Sequence, residues 1–217
     1  MQNHLTNISN QLTLAIHSTD NTFGFAYRKK NNLETDNLFI KKFDKDLCNN
    51  LIVDFNEFIP KENLERVNKI SVSIGPANFN ASRLIVVLAR TISQQINCPI
   101  ESFSSFELMS KRIALKNNIY KPNNSFWIYK QLKRKGFIAG KYEVCICEKE
   151  NKKLVMKEIV TPKVVQELDN QALNFQANYD DKEDLKELLN LSNKNPNISN
   201  FNSWEKVLPL YPISPIN

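Results

Sequence analysis

The sequence predicts an α/β protein in which mixed sheets are flanked by helices. Up to residue 115, the apolar pattern alternates between the period of a strand and that of a helix, in the order β-β-β-α-β-α-β-α. Beyond residue 125, three more strand patterns precede the next helical ones. Because a helix that crosses over between two strands leaves them parallel, the sheets should combine parallel and antiparallel pairs.

The first strands are predicted to form a hairpin. Residues 12–16 and 22–28 are short β-type runs joined by the turn-rich HSTDN, and residues 38–43 add a third strand. Apolar residues then recur at helical spacing over 46–59, and Pro60 stops the pattern. We therefore expect a helix there that covers one face of the sheet.

A strand, a tight turn and a helix follow in SVSIGPANFNASRLIVVLARTI. Residues 67–74 are the strand, Gly75 and Pro76 make the turn, and residues 80–96 form the helix. A strand that leads through a turn into a helix N-terminus is a common anion cradle. The stripe that this helix should bury consists of Ala81, Leu84, Ile85, Leu88, Ile92 and Ile96.

A further strand at 99–103 leads into a helix that ends near residue 115. Ser104 and Glu107 have the spacing of a capping box at its start. The polar stretch after this helix contains Pro122 and indicates a boundary.

We divide the chain into a polar extension (1–11), an N-terminal subdomain (12–116) and a smaller C-terminal subdomain (125–217). The C-terminal subdomain should contain strands at 126–132, 137–147 and 154–159, helices at 162–168 and 180–191, and an extended Pro-rich tail.

Composition excludes several classes of protein. The longest apolar run, residues 84–89, is far shorter than the ~20 residues that cross a bilayer. The N-terminus lacks the pattern of a signal peptide, so we expect a cytoplasmic protein without membrane contact. The four cysteines are scattered and should be reduced thiols: Cys48, Cys98, Cys145 and Cys147.

The net charge of +6 permits contact with nucleic acid without requiring it. Basic residues concentrate in residues 130–141, KQLKRKGFIAGK. Two interpretations stay open at this point: a solvated loop between two strands, or a patch that faces RNA.

Catalytic motifs are missing from the sequence. The two histidines, His4 and His17, cannot make a zinc motif, and no Gly-rich phosphate loop or Gly-x-Ser-x-Gly elbow occurs. We therefore predict no catalytic residue, no metal site and no cofactor. The one candidate for a nucleotide-facing turn consists of Gly75, Pro76, Asn78 and Asn80; the alternative is a plain connection from strand to helix.

Two segments resemble the bacterial TsaB (YeaZ-like) family, whose members carry Gly-Pro-Gly-Ser-Phe-Thr-Gly-x-Arg, a helix, a short strand and then Ser-Ser-Leu-Glu. They are LTLAIHSTDNTFGFAY and SIGPANFNASRLIVVLARTISQQINCPIESFSSFEL. The resemblance implies a two-lobed actin-like fold of the ASKHA, ribonuclease H-like kind. Matching positions are Gly75, Pro76, Phe79, Arg83, Pro99, Ser104, Ser105 and Glu107, with Arg134, Gly136 and Tyr211 as weaker matches further on.

This chain also departs from the family pattern. Ala77, Asn78, Asn80 and Ala81 stand where the family has glycine, serine, threonine and glycine, and His17 replaces the strand-end aspartate. In active relatives of this fold that aspartate helps to position metal and phosphate. The resemblance therefore implies a non-catalytic subunit; a small-molecule kinase or hydrolase of the same fold is the alternative.

The resemblance also implies partners. They are a TsaD-type catalytic subunit, a TsaE-type ATPase and, indirectly, the tRNA that the complex modifies by threonylcarbamoylation of the adenosine next to the anticodon. The interface is expected on the outer side of the 80–96 helix, with a homodimer through the same helices as a further arrangement. We assign Val53, Arg83, Val86, Val87 and Arg90 to it, since β-branched residues are poor choices for a solvated helix face. Cover by a neighbouring helix of the same chain is the other explanation.

Overall fold

The computed structural model describes residues 11–30, 36–43, 47–132, 136–147, 153–194 and 204–211. Its first sheet has five strands in the order β3-β2-β1-β4-β5. Neighbours β1/β2 and β2/β3 are antiparallel, whereas β1/β4 and β4/β5 are parallel. The strands are β1 (Leu12–Ser18), β2 (Thr22–Lys29), β3 (Asp36–Lys42), β4 (Val67–Ser73) and β5 (Ile100–Phe103).

Three helices connect these strands: α1 (Leu47–Phe58), the short α2 (Lys61–Leu64) and α3 (Phe79–Gln95). Alternate residues of a strand point to opposite faces, so Leu14 and Ile16 of β1 point towards α1 and α3, and Ala15 points away. Phe55 of α1 packs edge-on against Phe25 of β2, with ring centroids 5.2 Å apart. The larger core therefore lies between this face of the sheet and the two long helices.

The second sheet has four strands in the order β8-β7-β6-β9. Its pairs are antiparallel except β6/β9, which is parallel. Both sheets are thus mixed, as predicted. The strands are β6 (Ser125–Gln131), β7 (Phe137–Cys147), β8 (Lys153–Val165) and β9 (Leu173–Gln176).

Two helices pack together in the region between the sheets: α4 (Ser105–Lys116) and α5 (Asp181–Lys194). Phe106 and Met109 of α4 pack into the core of the second sheet. Leu108 of the same helix joins Leu185 and Leu188 of α5 in a smaller cluster on the first sheet. One helix therefore contributes to both cores.

Helix α5 packs on the first sheet although it lies late in the chain. Arg28 of β2 donates to Asn190 Oδ1 at 2.8 Å, and Lys69 of β4 donates to the carbonyl of Ser192. A division at residues 116–125 thus separates the two sheets, but α5 returns from the C-terminal part to the N-terminal one. The cause is the apolar stripe of α5, which packs on the face of the first sheet opposite α1 and α3.

Some predicted elements were wrong. Residues 162–168 are not a helix, because β8 continues to Val165 and its β-branched end pairs with Phe137 and Ile138 of β7. Strand β9 was not predicted, since four residues carry too little periodicity. The predicted extension lies outside the described residues except for residue 11, as do the tail prolines Pro212 and Pro215.

The buried stripe of α3 contains the predicted Ala81, Ile85 and Ile92, but it is rotated from the prediction at the other positions. Ser82, Val86, Ala89 and Ser93 face the sheet, and Leu84 and Leu88 are only half-buried at its edge. Small residues at this spacing let the helix approach β1 and β4 closely, and a search for large apolar residues does not count them. Among the described residues, no helix is long and apolar enough to cross a membrane.

Candidate functional site

The turn after β4 is held by contacts from three other parts of the chain. Gly75 has a φ of 97°, in the left-handed region that favours glycine, and its peptide bond to Pro76 is cis. Its carbonyl accepts a hydrogen bond from Ser105 N at 2.7 Å, and the carbonyl of Pro76 accepts one from the Tyr179 hydroxyl at 2.6 Å. Leu210 N donates to the neighbouring Ile74 carbonyl at 2.7 Å.

The helix that follows the turn is capped from within. The side chain of Asn78 accepts a hydrogen bond from Ala81 N at 3.2 Å, as an N-cap residue does. Gly75 and Pro76 are buried, whereas Asn80 is exposed. In this connection between strand and helix, the carbonyls of Gly75 and Pro76 and the side chain of Asn78 have partners inside the protein. Nucleotide binding by these four residues stays a prediction.

His17 lies at the end of β1, where the TsaB family has aspartate. Its Nδ1 lies 2.8 Å from Ser73 Oγ, and its Nε2 has no hydrogen-bond partner among the described residues. Burial lowers the pKa of His17 from 6.5 to about 4, against a smaller rise from the negative charge of Asp181. The imidazole is therefore neutral at pH 7 and does not replace the negative charge of a carboxylate.

A short polar chain lies beside this histidine. Thr22 Oγ1 donates to Asp181 Oδ1 at 2.5 Å, and the hydroxyls of Thr19 and Thr22 are hydrogen-bonded to each other. Asp181 is in the first turn of α5, where the helix dipole favours a negative charge. This carboxylate is therefore already engaged by the chain's own hydroxyl.

The two lobes are joined at the same end of the first sheet. Lys130 Nζ on β6 lies 2.6 and 2.5 Å from the two carboxylate oxygens of Asp20, in the β1–β2 turn. The same ammonium lies 5.6 Å from the ring centroid of Tyr179. Burial, followed by the nearby charges of Asp20 and Asp184, raises the pKa of Tyr179 well above its ordinary value, so its hydroxyl remains a donor to Pro76.

An ion pair links α4 and α5. Arg112 Nη2 lies 2.7 Å from Asp184 Oδ1, and Asp184 is fully buried. Burial raises the pKa of Asp184 to about 7, although Arg112 acts in the opposite direction. Arg112 also lines a cleft of about 310 Å³ between the two helices. The cleft is mixed in charge: Leu108, Lys111, Arg112, Leu115, Glu183, Glu187 and Asn190.

Metal binding has no evident site in the described ranges. Within them, no group of three or more histidine, cysteine, aspartate or glutamate residues could hold a metal ion. Ser73, Asp181 and Tyr179 were not predicted as neighbours of the turn. No local pattern could have indicated Asp181 or Tyr179, which lie more than 100 residues beyond the turn, whereas Ser73 is only two residues before Gly75.

The structure separates the predicted interface residues into three groups by their exposure. Val53 and Val87 are 54% and 50% exposed, and Arg83 is exposed beside Val87 on the outer side of α3. Arg90 is half-buried, with its guanidinium 5.6 Å from the ring centroid of Trp204. Val86 was assigned wrongly: it is fully buried in the core, because it follows Ser82 by four residues on the face that approaches the sheet.

Other exposed apolar residues were missed. Ile52 is 60% exposed beside Val53 on α1. Phe79, at the start of α3, and Tyr211 form a ring pair with centroids 4.9 Å apart, and both remain exposed. The sequence signal for Ile52 was its position beside Val53, whereas the pairing of Phe79 with Tyr211 needed the fold.

Solved structures resemble this chain in fold. No protein-family model matches it, and neither does any curated protein. An uncharacterised protein with similarity to peptidase YeaZ, from Pseudomonas aeruginosa, is 15% identical over 94% of this chain and 100% of its own, with a TM-score of 0.64. YeaZ from the same organism is 12% identical over 93% and 99%, with a TM-score of 0.61.

Both matches cover nearly the whole of either chain, so the two sheets and the helices between them correspond as one unit. At sequence identities this low, the similarity shows the fold alone. The chain therefore has the fold of YeaZ and the predicted actin-like α/β class, with mixed sheets flanked by helices.

Proposed function

We propose that this chain is a non-catalytic subunit that resembles TsaB and supports a TsaD-type subunit. The TsaD-type subunit would transfer threonylcarbamoyl from threonylcarbamoyl-AMP to the adenosine next to the anticodon of certain tRNAs. A TsaE-type ATPase would be a further partner, and the chain would work in the cytoplasm, where these tRNAs are modified.

The observation that carries this proposal is the outer helix surface, defined by Ile52 and Val53 of α1 with Arg83 and Val87 of α3. The inner stripes of both helices are already packed in one core. Three β-branched apolar residues nevertheless stand 50 to 60% exposed on the opposite sides. Residues of this kind neither favour a solvated helix nor serve the core, so a partner helix that covers them accounts for their presence.

The non-catalytic part of the proposal is supported by the strand-end chemistry. A neutral, buried His17 occupies the position of the family's aspartate, and the carbonyls of Gly75 and Pro76 are bound by groups of the same chain. A phosphate-binding turn needs free backbone amides, whereas Asn78 N donates to the Thr19 carbonyl and Ala81 N to Asn78 Oδ1.

The test is binding to the TsaD-type protein of the same organism, measured by isothermal titration calorimetry. Val53→Glu and Val87→Glu should each weaken binding by about 2 kcal/mol, because a buried, unpaired charge would enter the interface. Leu115→Glu is the matched control: Leu115 is 46% exposed on a helix, away from the outer helix surface. This variant should bind like the parent.

Two results would contradict the proposal. Absence of binding to the TsaD-type protein under conditions where the parent is folded would remove the scaffold role. Equal weakening by all three glutamate variants would place the interface elsewhere. Size-exclusion chromatography of the chain alone tests the homodimer: a dimer that Val87→Glu dissociates would show that a second copy uses the same surface.

A further inference from the structure

The second sheet has two different faces. Phe126 and Ile128 of β6 pack with Phe106 of α4 in one core. Because side chains alternate along a strand, Trp127 and Tyr129 point to the opposite face. Among the described residues, every helix residue of this core belongs to α4, which lies on the core side of the sheet. We call it the open face of the second sheet.

Three aromatic rings lie on the open face. Tyr129 of β6 and Phe137 of β7 meet edge to face, with ring centroids 5.6 Å apart. Trp127 lies two residues before Tyr129, opposite Lys141 of β7. All three rings are half-buried, and none belongs to a core cluster. The rings therefore present part of their surface to solvent on two adjacent strands.

Lysines surround these rings. Lys141 Nζ lies 5.9 Å from the ring centroid of Trp127. Lys157 and Lys163 of β8 are exposed, and their β7 partners in the register, Glu143 and Ala139, lie on the same face. Among the strand residues whose side chains the structure describes, this face carries three lysines against one glutamate.

The structure also separates the lysines at the two ends of the basic stretch 130–141, for which the sequence left two interpretations open. Lys130 points away from the open face and binds Asp20 of the other lobe. Lys141 lies beside Trp127 on the open face. Residues 133–135 lie outside the described part of the chain. One of the three rings, Phe137, belongs to the basic stretch itself, and Trp127 and Tyr129 precede it on β6.

We propose that the open face binds single-stranded RNA. Aromatic side chains on a sheet stack unpaired bases, and flanking cations neutralise the phosphates. An acidic protein surface would use the lysines but has no need of three rings. Gln176 of β9 is exposed at the register of Tyr129, and its amide can pair with a base edge or a 2′-hydroxyl. The inference does not depend on the TsaD-type partner.

The test uses the full chain alone and a fluorescein-labelled, unstructured RNA of about 12 nucleotides. Fluorescence anisotropy should show saturable binding that weakens as salt is raised. Trp127→Leu should weaken this binding about tenfold, because one stacked base is lost. Circular dichroism confirms that the variant is folded.

A lysine pair gives a second readout that does not touch the aromatic rings. Lys157→Ala combined with Lys163→Ala should make the slope of log affinity against log salt less steep by about 1.4, because contacts to two phosphates are lost. Lys29→Ala with Lys42→Ala is the matched control, since both lysines are exposed on the first sheet. This control should leave the slope unchanged.

Several outcomes would overturn the inference. The first is an anisotropy that stays flat as protein is added. The second is an unchanged affinity in a folded Trp127→Leu variant together with equal salt slopes for both lysine pairs. The third is tighter binding of duplex RNA or of the matched single-stranded DNA. A flat RNA titration combined with a change in elution volume for Trp127→Leu would assign the open face to a protein, including a second copy of the chain.

Discussion

The guanidinium of Arg112 on α4 pairs with the buried carboxyl of Asp184 on α5, with 2.7 Å between Nη2 and Oδ1. This pair joins the helix that serves the second core to the helix that packs on the first sheet. The backbone amide of Asp180 donates to the other carboxyl oxygen at 3.0 Å. Relative placement of the two lobes thus depends in part on one ionised group that burial disfavours.

Arg112→Leu should destabilise the protein by about 2 kcal/mol at pH 8, because it leaves the ionised Asp184 without its partner. The pKa of Asp184 in the folded chain is about 7, above its ordinary value of 3.8. The stability contributed by the neutral carboxyl is therefore fully present below pH 3.8 and lost as the pH rises through 7.

At about pH 5 the folded carboxyl is already protonated, so the loss in Arg112→Leu should be smaller there. Urea unfolding at both pH values measures this difference. A loss of the same size at both would show that Arg112 acts through packing and its hydrogen bonds to the Asn178 carbonyl rather than through the charge of Asp184.

His17→Gln tests the neutral histidine. The pKa of His17 is about 4 in the folded chain, below the ordinary 6.5. As the pH falls from 6.5 to 4, the unfolded chain therefore takes up a proton before the folded chain does. The stability that His17 contributes is present above pH 6.5 and is lost as the pH falls towards 4.

The free energy of unfolding of His17→Gln should therefore fall less than that of the parent between about pH 7 and pH 4.5. Urea titrations across this range measure both. Parallel curves for the two proteins would mean that His17 titrates alike in the folded and unfolded chains.

Two adjacent valines of α3 should respond in opposite ways to the same substitution. Val86→Glu should lower the free energy of unfolding by at least about 3 kcal/mol, because a charge enters the core without a partner. Val87→Glu should change it by less than about 0.5 kcal/mol, since that side chain is 50% exposed. Chemical denaturation gives both values. Similar losses in the two variants would place Val87 in the core as well.

We expect no ATP hydrolysis by the purified chain. A neutral imidazole stands at the strand end that carries a carboxylate in active relatives, and the backbone amides of Asn78 and Ala81 already donate to oxygens of the chain. Phosphate release from ATP and magnesium is the measurement, and Asn78→Ala serves as the control for contamination. Turnover by the parent that is lost in Asn78→Ala would establish the turn as a nucleotide site.

The spacing of residues along the chain was sufficient to predict most helices and strands, because it reflects interactions between residues that are close in sequence. The change of period at residue 46, the Gly75-Pro76 turn and the Ser104 cap each depend on neighbours within one or two helical turns. The Ser104 hydroxyl does accept from Glu107 N at 3.0 Å. The 162–168 helix failed because pairing with β7 outweighed the local pattern.

The sequence by itself determined the α/β order, the strand-turn-helix unit and the absence of the common phosphate and zinc motifs. Only the tertiary structure decided which sides of the elements meet. His17 and Ser73 are 56 residues apart and meet because β1 and β4 are parallel neighbours. Val86 faces the sheet, and Trp127 faces away from α4, because burial is set by the packing of whole elements, which periodicity constrains only to a choice of face.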